Sequence, residues 1–248
     1  MAPAWLTARP IAHRGYHDAA ARRIENTLSA VRAAVARRFA IEVDLQLTAD
    51  GVPVVFHDDT VDRLLSASGR VDAFNLAALQ ALPFKGGEDA VPTLEELLAL
   101  VAGAVPLVVE LKSNFSGDRR LEAAVAPILA RYQGPAVVMS FDPDSMAAMR
   151  DLLPAMPRGI VADRYTDDAE WGFLSPEARR RLADIADAER VEAAFISFDI
   201  NGLPSPATTL FRDRGGPLIC WTVRTTQDRA RAAQLTDQIT FEGFDPDA

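Results

Sequence analysis

Eight short runs of β-branched and apolar residues alternate with longer Ala/Leu/Arg-rich stretches of helical spacing along the 248-residue chain, and this rhythm restricts the fold more than any other feature. The strand-like runs lie at Ile11–His13, Ala40–Leu47, Leu107–Leu111, Ala136–Phe141, Gly159–Ala162, Ala194–Phe198, Leu218–Val223 and Gln238–Phe241. Helical spacing marks Thr27–Arg38, Thr93–Val101, Arg119–Tyr132, Ser145–Leu153, Pro176–Arg190, Pro206–Arg214 and Gln227–Gln234. Thr93 ahead of Glu95 and Glu96, Asp118 ahead of an Arg/Leu/Glu run, and Ser175 before Pro176 are helix-start signals. Eight strand–helix units predict an α/β protein, a single (β/α)8 TIM barrel over 1–248, since that barrel uses about 250 residues as one domain. A doubly wound sheet of eight strands more often needs a longer chain. The rhythm breaks once. Val52–Phe56 extends the second strand unit and Asp59–Val91 is irregular, so a small insertion after the second strand is expected to cover or shape a site.

Composition excludes several classes. Apolar residues make up 49% and charged residues 25%, as in a folded soluble chain. Lys+Arg 26 against Asp+Glu 35 leaves a formal charge of −9, with no basic stripe, so nucleic acid is not an expected partner. The single cysteine, Cys220, can form no internal disulfide, and Met1–Arg9 lacks a basic region followed by an apolar stretch; the cytosol is the expected compartment. No apolar run nears the ~18 residues that span a bilayer.

The chemistry lies in the strands. A barrel strand buried on both faces should be apolar on both, yet Ile41–Leu47 places Glu42, Asp44 and Gln46 on one face, and Val109–Lys112 does the same with Glu110 and Lys112. Three carboxylates converging in a water-poor barrel mouth repel one another unless a cation or protons sit among them. A structural network with arginines is the plainer explanation, but it is rare at alternate positions of a buried strand. Glu42, Asp44 and Glu110 are therefore expected to hold one divalent ion. All-oxygen ligation favours Ca²⁺, Mg²⁺ or Mn²⁺ over Zn²⁺, without choosing among them.

Of three histidines, His13 and His57 close strand segments before polar turns, where barrel enzymes build their sites. Each alone would be read as packing or surface. Two imidazoles beside a carboxylate cluster suit acid–base work near neutral pH. His17 is expected at the surface. Only two of the basic residues are lysines, Lys85 and Lys112. Arg14 and Lys112 offer fixed positive charge suited to a phosphate ester, a reading compatible with an ion pair between Lys112 and Glu110.

Together His13-Arg14-Gly15, Glu25-Asn26-Thr27, Glu42-x-Asp44, Asp50-Gly51, His57-Asp58, Pro92-Thr93-Leu94-Glu95-Glu96, Glu110-x-Lys112, Ser140-Phe141 and Trp221-Thr222-Val223 closely resemble the glycerophosphodiester phosphodiesterase family in order and spacing. The resemblance covers Ile11 to about Val223 and implies a (β/α)8 barrel, a divalent ion, and hydrolysis of glycerophosphodiesters to sn-glycerol 3-phosphate and an alcohol. It makes His13 and His57 the acid–base pair, Glu42, Asp44 and Glu110 the metal ligands, and Arg14 and Lys112 the phosphate contacts. Phe141 and Trp221 are candidate walls for the glycerol carbons. The attacking group is either water or the substrate's own 2-hydroxyl. Departures from the family pattern fall at Arg63-Leu64-Leu65-Ser66, Arg224 and Thr240–Pro246, on the floor and rim of the pocket, where they bear on the leaving group. Two rivals stand beside this reading. Cleavage of lysophospholipids would want an exposed apolar lip or a membrane anchor; Leu64, Leu65, Phe74, Leu76, Leu79, Leu82 and Phe84 suffice for a lip, but the leucines also have the helical spacing of a covered segment. A non-catalytic phosphodiester-binding barrel would not require both histidines with all three carboxylates.

Overall fold

The strands of the computed structural model, which describes residues 1–248, are β1 (Ile11–Ala12), β2 (Ala40–Leu47), β3 (Pro53–Val55), β4 (Leu107–Leu111), β5 (Ala136–Ser140), β6 (Arg158–Ala162), β7 (Phe195–Asp199), β8 (Leu218–Val223) and β9 (Gln238–Phe241). All but β3 pair in parallel around a ring, which closes where β1 pairs with both β2 and β9. This is the eight-stranded barrel expected, with β3 turned back antiparallel on β2.

The helices are α1 (Leu28–Ala36), α2 (Leu76–Gln80), α3 (Leu94–Val101), α4 (Arg120–Leu129), α5 (Pro143–Leu152), α6 (Asp168–Trp171), α7 (Pro176–Ala183), α8 (Pro206–Asp213) and α9 (Thr226–Leu235). Thr27, Asn75, Thr93, Ser175, Ser205 and Thr225 each cap a helix by accepting a backbone N–H. The helix expected over Pro176–Arg190 ends at Ala183, because the chain turns through a left-handed Ile185 (φ 52°) and Asp187 there binds Arg181 and Arg190. Short α6 carries too little periodicity to be foreseen, and α2 is the one helix formed by the helically spaced leucines of the irregular segment.

Strand alternation sorts the interior into layers. Odd positions of β5 to β8 and even positions of β2 and β4 point to the axis. The lower layer is Ile11, Ala40, Val108, Val137, Met139, Val161, Phe195 and Ile219, plugged from below by Leu6 of an N-terminal 3₁₀ turn (Ala4–Thr7). Burying Leu6 is worth about 1.5–3 kcal/mol. Gly159 makes room for the Phe195 ring, which would lie 2.5 Å from a Cβ at that position. The outer strand faces pack against the helices in a second, larger apolar cluster. One residue pair further along β2, β4 and β7 the interior turns polar, at Glu42, Glu110 and Ser197, and that is where the carboxylates sit.

The irregular segment Asp59–Val91 builds a core of its own. Val61, Leu65, Val71, Leu79, Phe84 and Val91 are buried together with Val54 and Phe56, and Leu64, Phe74, Leu76 and Leu82 pack against them. The apolar residues that the sequence offered as a lip are therefore covered by one another. Lys85 donates to the Asp62 carbonyl at 2.5 Å, bracing the same unit. No helix is long and apolar enough to cross a membrane.

Candidate active site at the carboxyl end of the barrel

The chain leaves β1 through a left-handed turn, Arg14 at φ 54° and Gly15 at φ 80°, and a Cβ on Gly15 would lie 3.0 Å from the Ala30 backbone. This turn swings His13 and Arg14 over the mouth, where the Arg14 N–H donates to Glu42 Oε2 at 2.9 Å. In the pairing of β2 with β4, Asp44 lies opposite Glu110. As the alternation predicts, Glu42, Asp44 and Glu110 all point inward, and one oxygen from each lies within 4.8 Å of the others. All three are buried.

Their charges are unequal. Burial, with the neighbouring Asp44 and Glu110 charges, pushes the Glu42 carboxyl well above its usual range, and its Oε1 has no hydrogen-bond partner. Burial also raises Asp44, but Lys112, His57, Arg14 and a hydrogen bond from Asn26 outweigh it and hold Asp44 below the carboxylate range. Lys112 Nζ sits 2.8 Å from Glu110 and 3.4 Å from Asp44. Arg14 lies 3.6 Å from Asp44 and 2.7 Å from Glu25. An all-oxygen triad with one orphaned, desolvated oxygen fits a hard divalent ion.

Each imidazole is anchored through Nδ1 by its own carboxylate. His13 meets Glu242 at 2.7 Å and His57 meets Asp58 at 2.8 Å, which leaves both Nε2 atoms for the cavity. Burial outweighs the Glu242 contact and lowers the His13 pKa, so the neutral ring is favoured. Asp58 is gripped by Arg63, which also takes Glu25, which takes Arg14. Asn26 exchanges hydrogen bonds with Asp44, and Gln46 donates to the carbonyls of His57 and Asp58. The Glu25-Asn26-Thr27 run thus serves an arginine, a candidate ligand and a helix cap in succession.

His17, expected at the surface, is instead partly buried, its Nε2 3.5 Å from the same Glu242 oxygen that holds His13. The tight turn at Gly15 brings it back to the rim. Sequence reasoning marked Arg224 and the Thr240–Pro246 stretch only as departures at the pocket's floor and rim; that Glu242 anchors His13 was not foreseen, because the two lie 229 residues apart. Arg224 clamps the other Glu242 oxygen at 2.5 Å.

His13, Arg14, Glu42, Asp44, His57, Glu110, Lys112 and Arg224 line one cavity of about 560 Å³. Phe141 and Trp221 form part of its wall, in edge-to-face contact at 5.5 Å, with the Trp221 indole donating to the Ser197 carbonyl. The wall continues through Trp171 and Phe115 to Phe173, aromatic groups that sequence reading did not single out.

The chain is similar to known proteins in sequence and fold. Residues 13–238 match the model of the Glycerophosphoryl diester phosphodiesterase family. The protein named "Putative glycerophosphodiester phosphodiesterase YhdW" of Bacillus subtilis (strain 168) is 36% identical over 188 residues, 71% of this chain and 73% of that one. Bos taurus glycerophosphodiester phosphodiesterase 1 is 42% identical over 99 residues, 36% of this chain and 29% of its own length. Among solved structures, an Oleispira antarctica phosphodiesterase in complex with the product sn-glycerol-3-phosphate shares the fold at a TM-score of 0.78, with 21% identity, 96% of this chain and 94% of that one.

Proposed function

The chain belongs to the glycerophosphoryl diester phosphodiesterase family, and on that premise we propose that it hydrolyses glycerophosphodiesters to sn-glycerol 3-phosphate and an alcohol by acid–base catalysis between His13 and His57. The observation that carries the reading is the pair of imidazoles, each tied by Nδ1 to a carboxylate, beside an all-oxygen triad. A divalent ion held by Glu42, Asp44 and Glu110 would supply positive charge against the phosphodiester. Arg14 and Lys112 add fixed charge there, and both are already oriented by Glu25, Glu110 and Asp44.

His13, kept neutral by burial, accepts the proton of the attacking hydroxyl at Nε2. His57 returns a proton to the departing alkoxide, and Asp58 stabilises its charged form. Phe141 and Trp221 exclude water along the glycerol carbons. The attacking hydroxyl belongs either to water or to the substrate's glycerol; trapping a cyclic phosphate distinguishes them.

The test is turnover of glycerophosphocholine, glycerophosphoethanolamine and glycerophosphoglycerol by the purified chain, with and without Ca²⁺, Mg²⁺ or Mn²⁺. Chelation should abolish turnover and a divalent ion should restore it, whereas Glu42→Ala should not recover. Full activity in a metal-free preparation overturns the ligand assignment, and no hydrolysis of any of the three esters overturns the function.

A further inference from the structure

The register of β4 on β5 ends at Glu110 opposite Met139, one residue short of the end of β4. Lys112 stands just past that point, and the placement of its flexible four-carbon stem depends on how the backbone beneath it is held. On the β2 side its N–H donates to the Leu45 carbonyl at 3.1 Å. On the β5 side, side chains take over from the ladder. Ser140 Oγ donates at 2.7 Å to the carbonyl of Leu111, the residue before the lysine. Ser113 Oγ, on the residue after it, donates to Asp142 Oδ2 at 2.7 Å. Ser140 in turn accepts the Asp142 N–H at 3.1 Å, so Lys112 is bracketed by two side chains that brace each other.

Asp142 is the hub of this bracket. It is 3% exposed and lies behind the loop, outside the cavity lining. Its Oδ1 caps α5 by accepting the Asp144 N–H at 2.9 Å. Its Oδ2 has no part in the cap and accepts from Arg119 at 3.1 Å as well as from Ser113. Arg119 stands just ahead of α4, so one buried oxygen ties together the first and last residues of the loop Ser113–Arg119. Within the loop, Ser113 Oγ also accepts the Phe115 N–H at 3.1 Å, where the chain turns through a left-handed φ of 58°. The aromatic wall accounts for Phe141 of the Ser140-Phe141 pair, and this bracket accounts for Ser140.

We propose that Asp142 is a positioning residue for Lys112: through Ser113, with Ser140 beside it, it fixes the backbone from which the lysine reaches the phosphate, a role that rests on the reading of Lys112 as a phosphate contact. Asp142 touches no substrate. Released from it, the loop and the ammonium group above it shift together, and a misplacement of about 1 Å costs about 10²-fold in rate.

A double-mutant cycle separates positioning from capping and packing. Asp142→Asn keeps one oxygen for the cap but loses the charge and the second acceptor. It should lower kcat/KM for glycerophosphocholine by about 10–100-fold in the native background. Where Lys112→Met has already removed the cation, the same change should cost no more than about twofold. An equal loss in both backgrounds is the mark of a purely structural role and overturns the proposal. Ser113→Ala leaves the cap untouched and serves if thermal unfolding shows the Asp142 variant to be misfolded. It should show the same coupling to Lys112, with activity restored in Ser113→Thr, and independence from Lys112 overturns the proposal here too. A second readout needs no turnover. The chain holds only two lysines, so isotopic labelling of lysine Cε gives two NMR signals, with Lys85 in the insertion as the internal control. With Mg²⁺ present, sn-glycerol 3-phosphate should move the Lys112 signal alone, and much less in Asp142→Asn. An equal response in Asp142→Asn overturns the positioning role and leaves the phosphate contact standing. No response in the unsubstituted chain removes the phosphate contact, and the positioning role with it. If no diester is hydrolysed the catalytic reading falls, and this signal still decides for or against the bracket.

Discussion

Glu242 is the residue on which two histidines and an arginine converge, and its carboxyl is held below the usual range by the His13 and His17 contacts despite burial. Its role follows from what it fixes: the Nδ1 bond orients the His13 ring and sets which nitrogen faces the cavity. His13→Ala and His57→Ala should each lower kcat by about 10²–10⁴ with the fold intact. Glu242→Ala should lower kcat by up to about 10⁴-fold, the loss expected when the carboxylate that fixes a catalytic imidazole's tautomer is removed. His17→Ala, which on sequence grounds would be silent, should produce a small loss, because one of Glu242's contacts goes with it. A Glu242→Ala enzyme with wild-type kcat would show that His13 needs no anchor. The triad was legible at this scale because buried strands seldom alternate charge, as Glu42-x-Asp44 and Glu110-x-Lys112 do. Glu242 was not, since a lone glutamate after a terminal strand has no local pattern, and only barrel closure carries it to His13.

Among the elements, the insertion after β3 is the brace for half of the site. Arg63 lies on its first turn, between Asp58 and Glu25, and Leu65 two residues later is fully buried in the insertion's own core. Leu65→Ala should cost about 2–5 kcal/mol locally. The barrel should stay folded while amide exchange accelerates across 59–91 and activity falls, because Arg63 no longer holds Asp58 against His57. Unchanged exchange in that segment would mean the brace lies elsewhere. The strands were legible almost to the residue, since β2, β4, β8 and β9 are short runs bounded by turns, with β-branched and other apolar residues on at least one face. The insertion was not, for its leucines have helical spacing and form only α2 plus turns; burial against Val54 and Phe56, which periodicity cannot see, organises them.

Across the whole molecule, the acidic triad sets how stability answers to pH and to cations. Glu42 has a folded-state pKa raised above its ordinary 4.5, so without an ion its contribution is fully present below that value and is lost as pH rises through the raised pKa. Asp44, Asp58 and Glu242 are depressed, and their contributions disappear instead as pH falls below the ordinary carboxylate range. A bound divalent ion takes the place of the Glu42 proton. The stability gained on adding a fixed concentration of Ca²⁺ or Mg²⁺ should therefore grow with pH, reaching about 2.7 kcal/mol where the ion stands at a hundred times Kd. Thermal scans across a pH series, with and without the ion, give the answer, and a gain that shrinks as pH rises would contradict it. Closure of the ring has a different consequence. β1 pairs with β9, and Arg9 binds Asp247 at 2.7 Å, so the two ends of the polypeptide are neighbours. The order of strands around the barrel is then indifferent to where translation starts. A circular permutant joined through a flexible linker of about ten residues and reopened at the exposed Gly215, on the face away from the mouth, should assemble the same ring and retain its chemistry.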